Sequence, residues 1–264
     1  MIVDGKAIAS DVYKEIENQV THLAHAPHLT VFTCAPNFET QKYLSLKKRK
    51  ASQVGIGVNI IELPDTLTTQ EVVQSVTHAC MQTDGIIVQL PLPAHIDTDA
   101  VLAAIPKNYD VDGMHYDGTS STFMSPVVGA VAQIARVHDV LFAAQKVVVV
   151  GQGRLVGVPV AAWARNQGAQ VTVLTKESEN SDEAIASADI LVLGAGVSGL
   201  IKPEMVKEGV IIFDAGTSED AGELTGDAHP DCAQKASLIT PVPGGIGPLT
   251  IAALLRNVLQ AAER

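Results

Sequence analysis

The chain has 264 residues, enough for one large domain or for two of ordinary size with a substantial core. Its 47% hydrophobic and 18% charged residues are typical of a folded globule and exclude an intrinsically disordered segment. The net charge of -11 argues against nucleic acid or an anionic membrane surface as a partner.

The N-terminus and the cysteines predict a cytoplasmic protein. Asp4 and Lys6 stand where a signal peptide needs an unbroken apolar stretch, and no uncharged run approaches the length of a membrane span. The three cysteines are odd in number and far apart, at Cys34, Cys80 and Cys232. They favour buried thiols over a disulfide framework or a zinc site. Three histidines have helix-like spacing, at His22, His25 and His28, but Pro27 interrupts them, so no metal is predicted.

Helices and strands alternate through the first half of the chain. Apolar residues at fourfold spacing predict a helix over about residues 7–23. Further predicted elements are a strand at 29–35, a helix at 40–55, a strand at 58–64, a helix after the capping box of Thr68 and Glu71, and, at 85–93, an apolar strand that runs into a proline-rich turn. This order, with nearly continuous apolar strands, predicts a parallel sheet covered on both faces.

The alternation of helices and strands is interrupted at residues 106–125, and a second series of helices and strands begins after it. It comprises a helix from about 126, a strand at 146–150, a helix at 155–167, and strands at 171–174, 190–196, 210–216 and 237–242. The sequence therefore predicts two α/β domains, residues 1–120 and 121–248, the second Rossmann-like.

A glycine loop opens the second domain in the stretch VVVVGQGRLVGVP. Gly151, Gly153 and Gly157 follow a strand and precede a helix, with a spacing one residue longer than the usual dinucleotide fingerprint. Glycines there let backbone amides approach a pyrophosphate, whose charge the helix N-terminus favours. The next strand ends in Thr175 and Lys176 rather than an acid, and these suit a 2′-phosphate. NADP is therefore the predicted cofactor, with NAD as the alternative.

Tyr43 and Lys47 lie four residues apart on a predicted helix and share one face. A phenol beside an amine can relay protons if the lysine can lose its charge. A basic helix face with one packed tyrosine is the simpler explanation of the pattern alone. The same spacing occurs in short-chain dehydrogenases, but there it follows the glycine loop, and here it precedes it.

Three further stretches are candidates for ligand contact. Gln89 follows an apolar strand, at the end where open α/β sheets bind ligands, and its amide both donates and accepts hydrogen bonds. Asp112 lies in the turn YDVDG, where a carboxylate can accept two hydrogen bonds from an aminopyrimidinone. The stretch PVPGGIGPLT at 241–250 is too rich in proline and glycine for a helix or a central strand. It is either a tight turn or bare backbone close to a ligand.

Taken together, DGKAIA, Y-x-x-x-K, VQLPLP, DVDG, the glycine loop with VGxP, and TPVPGGIGPLT resemble one family over nearly the whole chain. It is the bifunctional methylenetetrahydrofolate dehydrogenase/methenyltetrahydrofolate cyclohydrolase family. The resemblance implies two α/β domains flanking a cleft, with tetrahydrofolate derivatives on the first domain and NADP on the second. It also implies a homodimer, and a C-terminal helix at 249–264 that packs back on the first domain.

The resemblance also implies roles for individual residues. Tyr43 and Lys47 form the catalytic face, Gln89 activates the lysine, and Asp112 holds the pterin. The remaining predicted substrate contacts are Leu90, Pro91, Gly244, Gly245 and Pro248. The predicted cofactor contacts are Gly151, Gln152, Gly153, Arg154, Val156, Gly157, Pro159, Thr175 and Lys176.

The chain departs from the family pattern at several positions. Thr40 replaces a serine, CAPN replaces a glycine-containing strand end, and Tyr109 replaces the lysine of KDVDG. MSPV replaces PCTP, GQG replaces GRS, and Thr175–Lys176 replaces His-Ser. The last two changes fall near the expected 2′-phosphate, where Lys176 and Arg154 are predicted substitutes. A monofunctional dehydrogenase and a noncatalytic nucleotide- or folate-binding protein remain the alternative functions.

Overall fold

The structure, a computed structural model, describes residues 1–220 and 223–264, which form two compact units. The helices are α1 (Gly5–Val20), α2 (Phe38–Gln53), α3 (Thr69–Ala79), α4 (Thr98–Ala103), α5 (Pro126–Val137), α6 (Gly157–Asn166), α7 (Ser181–Ser187) and α8 (Ile246–Ala262). The strands are β1 (His28–Cys34), β2 (Gly57–Leu63), β3 (Gly85–Val88), β4 (Lys146–Val150), β5 (Gln170–Leu174), β6 (Ile190–Leu193), β7 (Ile211–Asp214), β8 (Ser218–Asp220), β9 (Glu223–Thr225) and β10 (Leu238–Ile239). Within the described ranges, no helix is long and apolar enough to cross a membrane.

The three-stranded unit comprises residues 11–116, 120–125 and 251–264. Its parallel sheet has the order β2-β1-β3, with the almost fully buried β1 at the centre. The predicted capping box is present: Thr68 Oγ1 accepts from the Glu71 amide, and the Glu71 carboxylate accepts from the Thr68 amide. It starts α3, which buries Val72 and Val76 against the sheet core. Phe32 of β1 pairs with Val88 at the end of β3, so the loop after β3 begins at the carboxyl edge of the sheet.

The five-stranded unit comprises residues 1–10, 117–119 and 126–250. Its sheet is parallel throughout, in the order β10-β7-β6-β4-β5, as expected for the Rossmann-like fold predicted for this half. Val150 at the end of β4 pairs with Leu174 of β5 and Leu193 of β6. Because these three ends are level, the loops after them leave the sheet at one edge.

The structure differs from the sequence prediction in several elements. Of the stretch 85–93, predicted as a strand that runs into a proline-rich turn, Gly85–Val88 is the strand, because the prolines beyond it cannot donate ladder hydrogen bonds. The short helices α4 and α7 and the hairpin of β8 and β9 were not predicted. Residues 1–10 group with the five-stranded unit, since Ile2 bridges Ile239 and the Val3 amide donates to the Ile239 carbonyl at 2.9 Å.

Candidate active site

Helix α2 turns one lysine of its basic run inward. Lys47 is 6% exposed, whereas its neighbours Lys48 and Arg49 are exposed. Its Nζ lies 4.6 Å from the ring centroid of Tyr43, one helical turn earlier. The two side chains therefore share a face, as their spacing predicts, and this face is not simply a solvated basic surface.

Gln89 supplies the polar partner of this lysine. Its backbone amide donates to the Phe32 carbonyl at 2.8 Å, which fixes the residue at the end of β3. The side-chain Oε1 accepts from Lys47 Nζ at 3.1 Å, and Nε2 donates to the Leu90 carbonyl at 3.0 Å. Because both ends of the amide are engaged, its oxygen stays directed at the lysine. The amide oxygen is a neutral acceptor. It positions the Lys47 amine but has no negative charge that would raise the pKa of that amine.

Burial shifts the three ionisable groups of this cluster. It lowers the pKa of Lys47, an effect that the nearby Asp112 carboxylate opposes. Burial raises the pKa of Asp112, while Lys47 lowers it and Asp110 raises it. Burial also raises the pKa of Tyr43, with a further increase from Asp112, so the phenol keeps its proton at neutral pH. Lysine and aspartate are both shifted toward their neutral forms, as expected for groups that exchange protons.

The turn that carries Asp112 is built on a second carboxylate. Asp110 is 1% exposed; it accepts from the amides of Met114 at 3.0 Å and His115 at 2.7 Å, and lies 2.8 Å from His115 Nδ1. Gly113 has φ +66°, and a Cβ there would lie 2.7 Å from the Ser125 backbone. Asp110 thus organises the turn rather than facing a ligand.

A buried asparagine of α8 secures the same turn, and it was not predicted from the sequence. Asn257 Nδ2 donates to the carbonyls of Val111 and Met124, both at 2.8 Å. Both acceptors lie in the three-stranded unit, as does Asn257. A single asparagine within the apolar run of α8 was the available signal, because a buried amide needs partners.

The predicted loop residues after β3 lie beside Gln89. Leu90 is half-buried and packs against the core of the three-stranded unit. Pro91 is exposed and follows a cis peptide bond.

The glycine loop follows β4, and packing of the chain explains two of its three glycines. Gly151 has φ +100°, and a Cβ there would lie 2.6 Å from the Gly194 carbonyl oxygen. A Cβ at Gly157 would collide with the Gly151 carbonyl oxygen, so both positions serve close packing of the chain. At Gly153, by contrast, a Cβ would come no closer than 4.0 Å to Gly194.

The loop fits an anionic group. Gly153 is exposed, and helix α6 begins after Val156 with no side-chain cap on its first turn. An uncapped helix N-terminus beside bare backbone is the arrangement that receives phosphate. Gln152 and Arg154 are exposed in the loop, whereas Pro159 is buried in α6.

The residues after β5 lie next to this loop in the sheet. The Gly151 amide donates to the Leu174 carbonyl at 2.9 Å. Thr175 is half-buried and Lys176 is exposed. The Thr175 hydroxyl donates to the Glu177 carboxylate at 2.8 Å.

Two buried aspartates hold the loops after β6 and β7, and neither was predicted from the sequence. Asp227 is fully buried and accepts from the amides of residues 195–197 at 2.6, 3.2 and 2.8 Å. Asp214 is 3% exposed and accepts from the amides of Gly216, Asp227 and Ala228. Burial raises the pKa of Asp214 to about 6, with a contribution from Asp227. An aspartate at the end of an apolar strand was the signal for Asp214.

The stretch 241–250 is a tight turn that enters α8. The Gly245 amide donates to the Pro241 carbonyl at 2.8 Å, and a Cβ at Gly245 would lie 2.7 Å from that oxygen. Gly244 has φ +108°, which favours glycine on backbone grounds alone. Pro248 lies in the first turn of α8. The backbone angle at Gly244 and the close packing at Gly245 thus favour glycine whether or not a ligand approaches the turn.

Comparisons with known proteins match the whole chain. The family model for the catalytic domain of tetrahydrofolate dehydrogenase/cyclohydrolase matches residues 3–112, and that for its NAD(P)-binding domain matches residues 121–264. Bifunctional protein FolD of Lactococcus lactis is 36% identical over 277 residues, covering 100% of this chain and 97% of that protein.

Solved structures agree. The bifunctional FolD dehydrogenase/cyclohydrolase of Campylobacter jejuni has a TM-score of 0.96 and 31% identity, covering 100% of this chain and 98% of that one. The Trypanosoma brucei FolD, solved with NADP cofactor and an inhibitor, has a TM-score of 0.92 and 31% identity, covering 100% and 97%.

Proposed function

This chain belongs to the tetrahydrofolate dehydrogenase/cyclohydrolase family, and on that premise we propose which of its residues carry out the two reactions. The protein oxidises 5,10-methylenetetrahydrofolate to 5,10-methenyltetrahydrofolate with NADP, then hydrolyses that product to 10-formyltetrahydrofolate. The observation that supports the assignment is the buried Lys47 amine, held by Gln89 and adjoining Tyr43. In this proposal folate binds the three-stranded unit and NADP binds the five-stranded unit.

In the oxidation step, bound NADP supplies the hydride acceptor, and the chain contributes position. The glycine loop and the start of α6 receive the phosphates, with Gln152, Arg154 and Lys176 as exposed polar side chains around them. Asp112 accepts hydrogen bonds from the pterin ring, and the Tyr43 ring covers the substrate beside Lys47. The contribution of the chain to this step would be to orient the bound substrate, because the hydride chemistry belongs to the cofactor.

The hydrolysis step needs proton transfer, and Lys47 performs it. As water adds to the methenyl carbon, the neutral Lys47 amine accepts a proton from that water. As the bond from that carbon to N5 breaks, the ammonium returns the proton to N5, while the added oxygen loses its remaining proton to water and becomes the carbonyl of the formyl group on N10. Gln89 serves both stages because its Oε1 accepts from either form of the amine.

One experiment distinguishes this function from its alternatives. Purified protein is mixed with methylenetetrahydrofolate and either NADP or NAD, while absorbance reports reduced cofactor and methenyltetrahydrofolate together. A bifunctional enzyme forms reduced cofactor without accumulating the methenyl product. Accumulation of that product would identify a monofunctional dehydrogenase. If no reaction occurred, the protein would be a noncatalytic binding protein.

We further propose that the protein is a cytoplasmic homodimer. The buried free thiols of Cys34 and Cys232 support a reducing compartment. Light scattering of the purified protein during size-exclusion chromatography tests the dimer. A mass of one chain across the working concentration range would exclude it.

A further inference from the structure

The carboxyl end of β5 presents charges of both signs. β5 pairs with β4 up to Leu174, so the next residues flank the glycine loop. In dinucleotide-binding folds, the residues that end the second strand meet the adenosine ribose. Here these residues are Thr175, Lys176 and Glu177, an unbroken sequence of hydroxyl, cation and anion.

Local hydrogen bonds hold Glu177 at this place. Its Oε2 accepts from the Thr175 hydroxyl at 2.8 Å, and its own amide donates to Thr175 Oγ1 at 3.3 Å. The Thr175 amide in turn donates to Ser178 Oγ at 2.9 Å. The hydrogen bond from Thr175 lowers the pKa of the Glu177 carboxyl, which is therefore ionised at neutral pH. The hydroxyl expected to meet a 2′-phosphate instead donates to a carboxylate.

We propose that Glu177 sets the discrimination between NADP and NAD, and that the enzyme consequently uses both. The Glu177 carboxylate accepts a hydrogen bond from the 2′-hydroxyl of NAD and repels the 2′-phosphate of NADP. Lys176 attracts the same phosphate and keeps NADP a substrate. This inference rests on the proposed function, because it assigns a role within that cofactor site.

A carboxylate accepts hydrogen bonds and cannot donate to phosphate oxygens, so it favours a hydroxyl over a phosphate. Exposed charges are screened by water and salt, so each changes the affinity by only roughly fivefold.

The matched variants Glu177→Gln and Lys176→Gln test the proposal. Glutamine at 177 keeps an oxygen for the Thr175 hydroxyl and removes only the charge. Calorimetric titration with NADP, NAD, 2′,5′-ADP and 5′-AMP measures binding separately from turnover. We expect Glu177→Gln to tighten NADP and 2′,5′-ADP by about five- to tenfold and to weaken NAD by about two- to fivefold. Lys176→Gln should weaken NADP and 2′,5′-ADP by a similar factor and leave NAD and 5′-AMP unchanged.

Two outcomes would overturn it. One is an unchanged ratio of NADP to NAD affinity in Glu177→Gln, including an equal loss for both cofactors, and the other is a wild-type protein that binds only NADP. If the wild-type protein bound neither dinucleotide, the proposed function itself would fail. If high salt narrows the difference in NADP affinity between Glu177→Gln and Lys176→Gln, that result supports an electrostatic origin of the discrimination.

Discussion

Lys47 Nζ lies 3.1 Å from Gln89 Oε1, so the buried amine has an uncharged partner. An ion pair at this place would hold the proton on the amine and oppose its use as a base. Because the amide is uncharged, burial remains the dominant influence on Lys47, and it lowers the pKa of the amine. We therefore expect the identity of residue 89 to control the pH range in which hydrolysis occurs.

Gln89→Glu tests this relationship. A carboxylate beside Lys47 raises the pKa of the amine, so a higher pH is needed to form the neutral base. We expect the acid limb of the hydrolysis pH–rate profile to move to higher pH, with at least about a tenfold loss at pH 7. Hydrolysis of methenyltetrahydrofolate measured from pH 6 to about pH 10 shows the shift. A rate lowered equally at every pH would instead indicate a purely steric role for Gln89.

Asp214 predicts a pH dependence of stability in the five-stranded unit. Its pKa in the folded protein is raised to about 6 from 3.8, so its contribution is present below pH 4 and is lost as pH rises through 6. This corresponds to a loss of about 2 kcal/mol of unfolding free energy between pH 4 and pH 7. Asp214→Asn cannot titrate, so the difference in unfolding free energy between variant and wild type should change by about that amount. Urea unfolding at pH 4, 5.5 and 7 measures it, and a constant difference would contradict the raised pKa.

The sequence predicted the elements that carry clear periodicity or caps. The capping box of Thr68 and Glu71 located α3, and the run KVVVV located β4 with its bounds unchanged. Periodicity does not reveal α4 or α7, because six or seven residues make fewer than two helical turns. The hairpin of β8 and β9 is equally short and mostly polar.

The candidate site, too, was predicted only in part from the sequence. Spacing on α2 placed Tyr43 beside Lys47, but it could not show that Lys47 is buried while Lys48 is exposed. That difference depends on what packs against the helix. The supporting roles of Asp227 and Asn257 depend on backbone groups 30 and 146 residues away in sequence, which no local pattern reveals.

The pair Gly153→Ala and Gly157→Ala separates ligand approach from chain packing. A Cβ at Gly153 meets nothing closer than 4.0 Å, so Gly153→Ala should change the unfolding free energy by less than about 1 kcal/mol. It should nevertheless weaken NADP binding by about tenfold or more, because the methyl group occupies the approach to the phosphate. Gly157→Ala collides with the Gly151 carbonyl and should destabilise the protein by about 2 kcal/mol or more.

Denaturant unfolding and calorimetric titration with NADP, made on both variants, check this contrast. If Gly153→Ala bound NADP as the wild type does, the loop would not approach the phosphates. If Gly157→Ala were as stable as the wild type, the collision would be relieved by movement of the loop.

Lys47→Met addresses the central assignment of the mechanism. Methionine keeps a long, flexible stem and removes the only part of the side chain that exchanges a proton. Because a buried amine is replaced by an apolar group of similar length, the unfolding free energy should not fall by more than about 1 kcal/mol. Hydride transfer depends mainly on orientation and should survive in part, whereas hydrolysis should fall by about two to four orders of magnitude.

Both activities must be measured on one preparation of Lys47→Met, with thermal unfolding and NADP titration as controls. Lys48→Met is the matched variant, since it removes an exposed amine from the adjacent position and should leave both activities near the wild-type values. Equal loss of both activities in Lys47→Met would make Lys47 a residue that positions folate. Unchanged hydrolysis would remove it from the mechanism. Loss of hydrolysis with retained oxidation would show that hydrolysis needs a proton-transfer group at position 47, because the substrate would then still be correctly oriented.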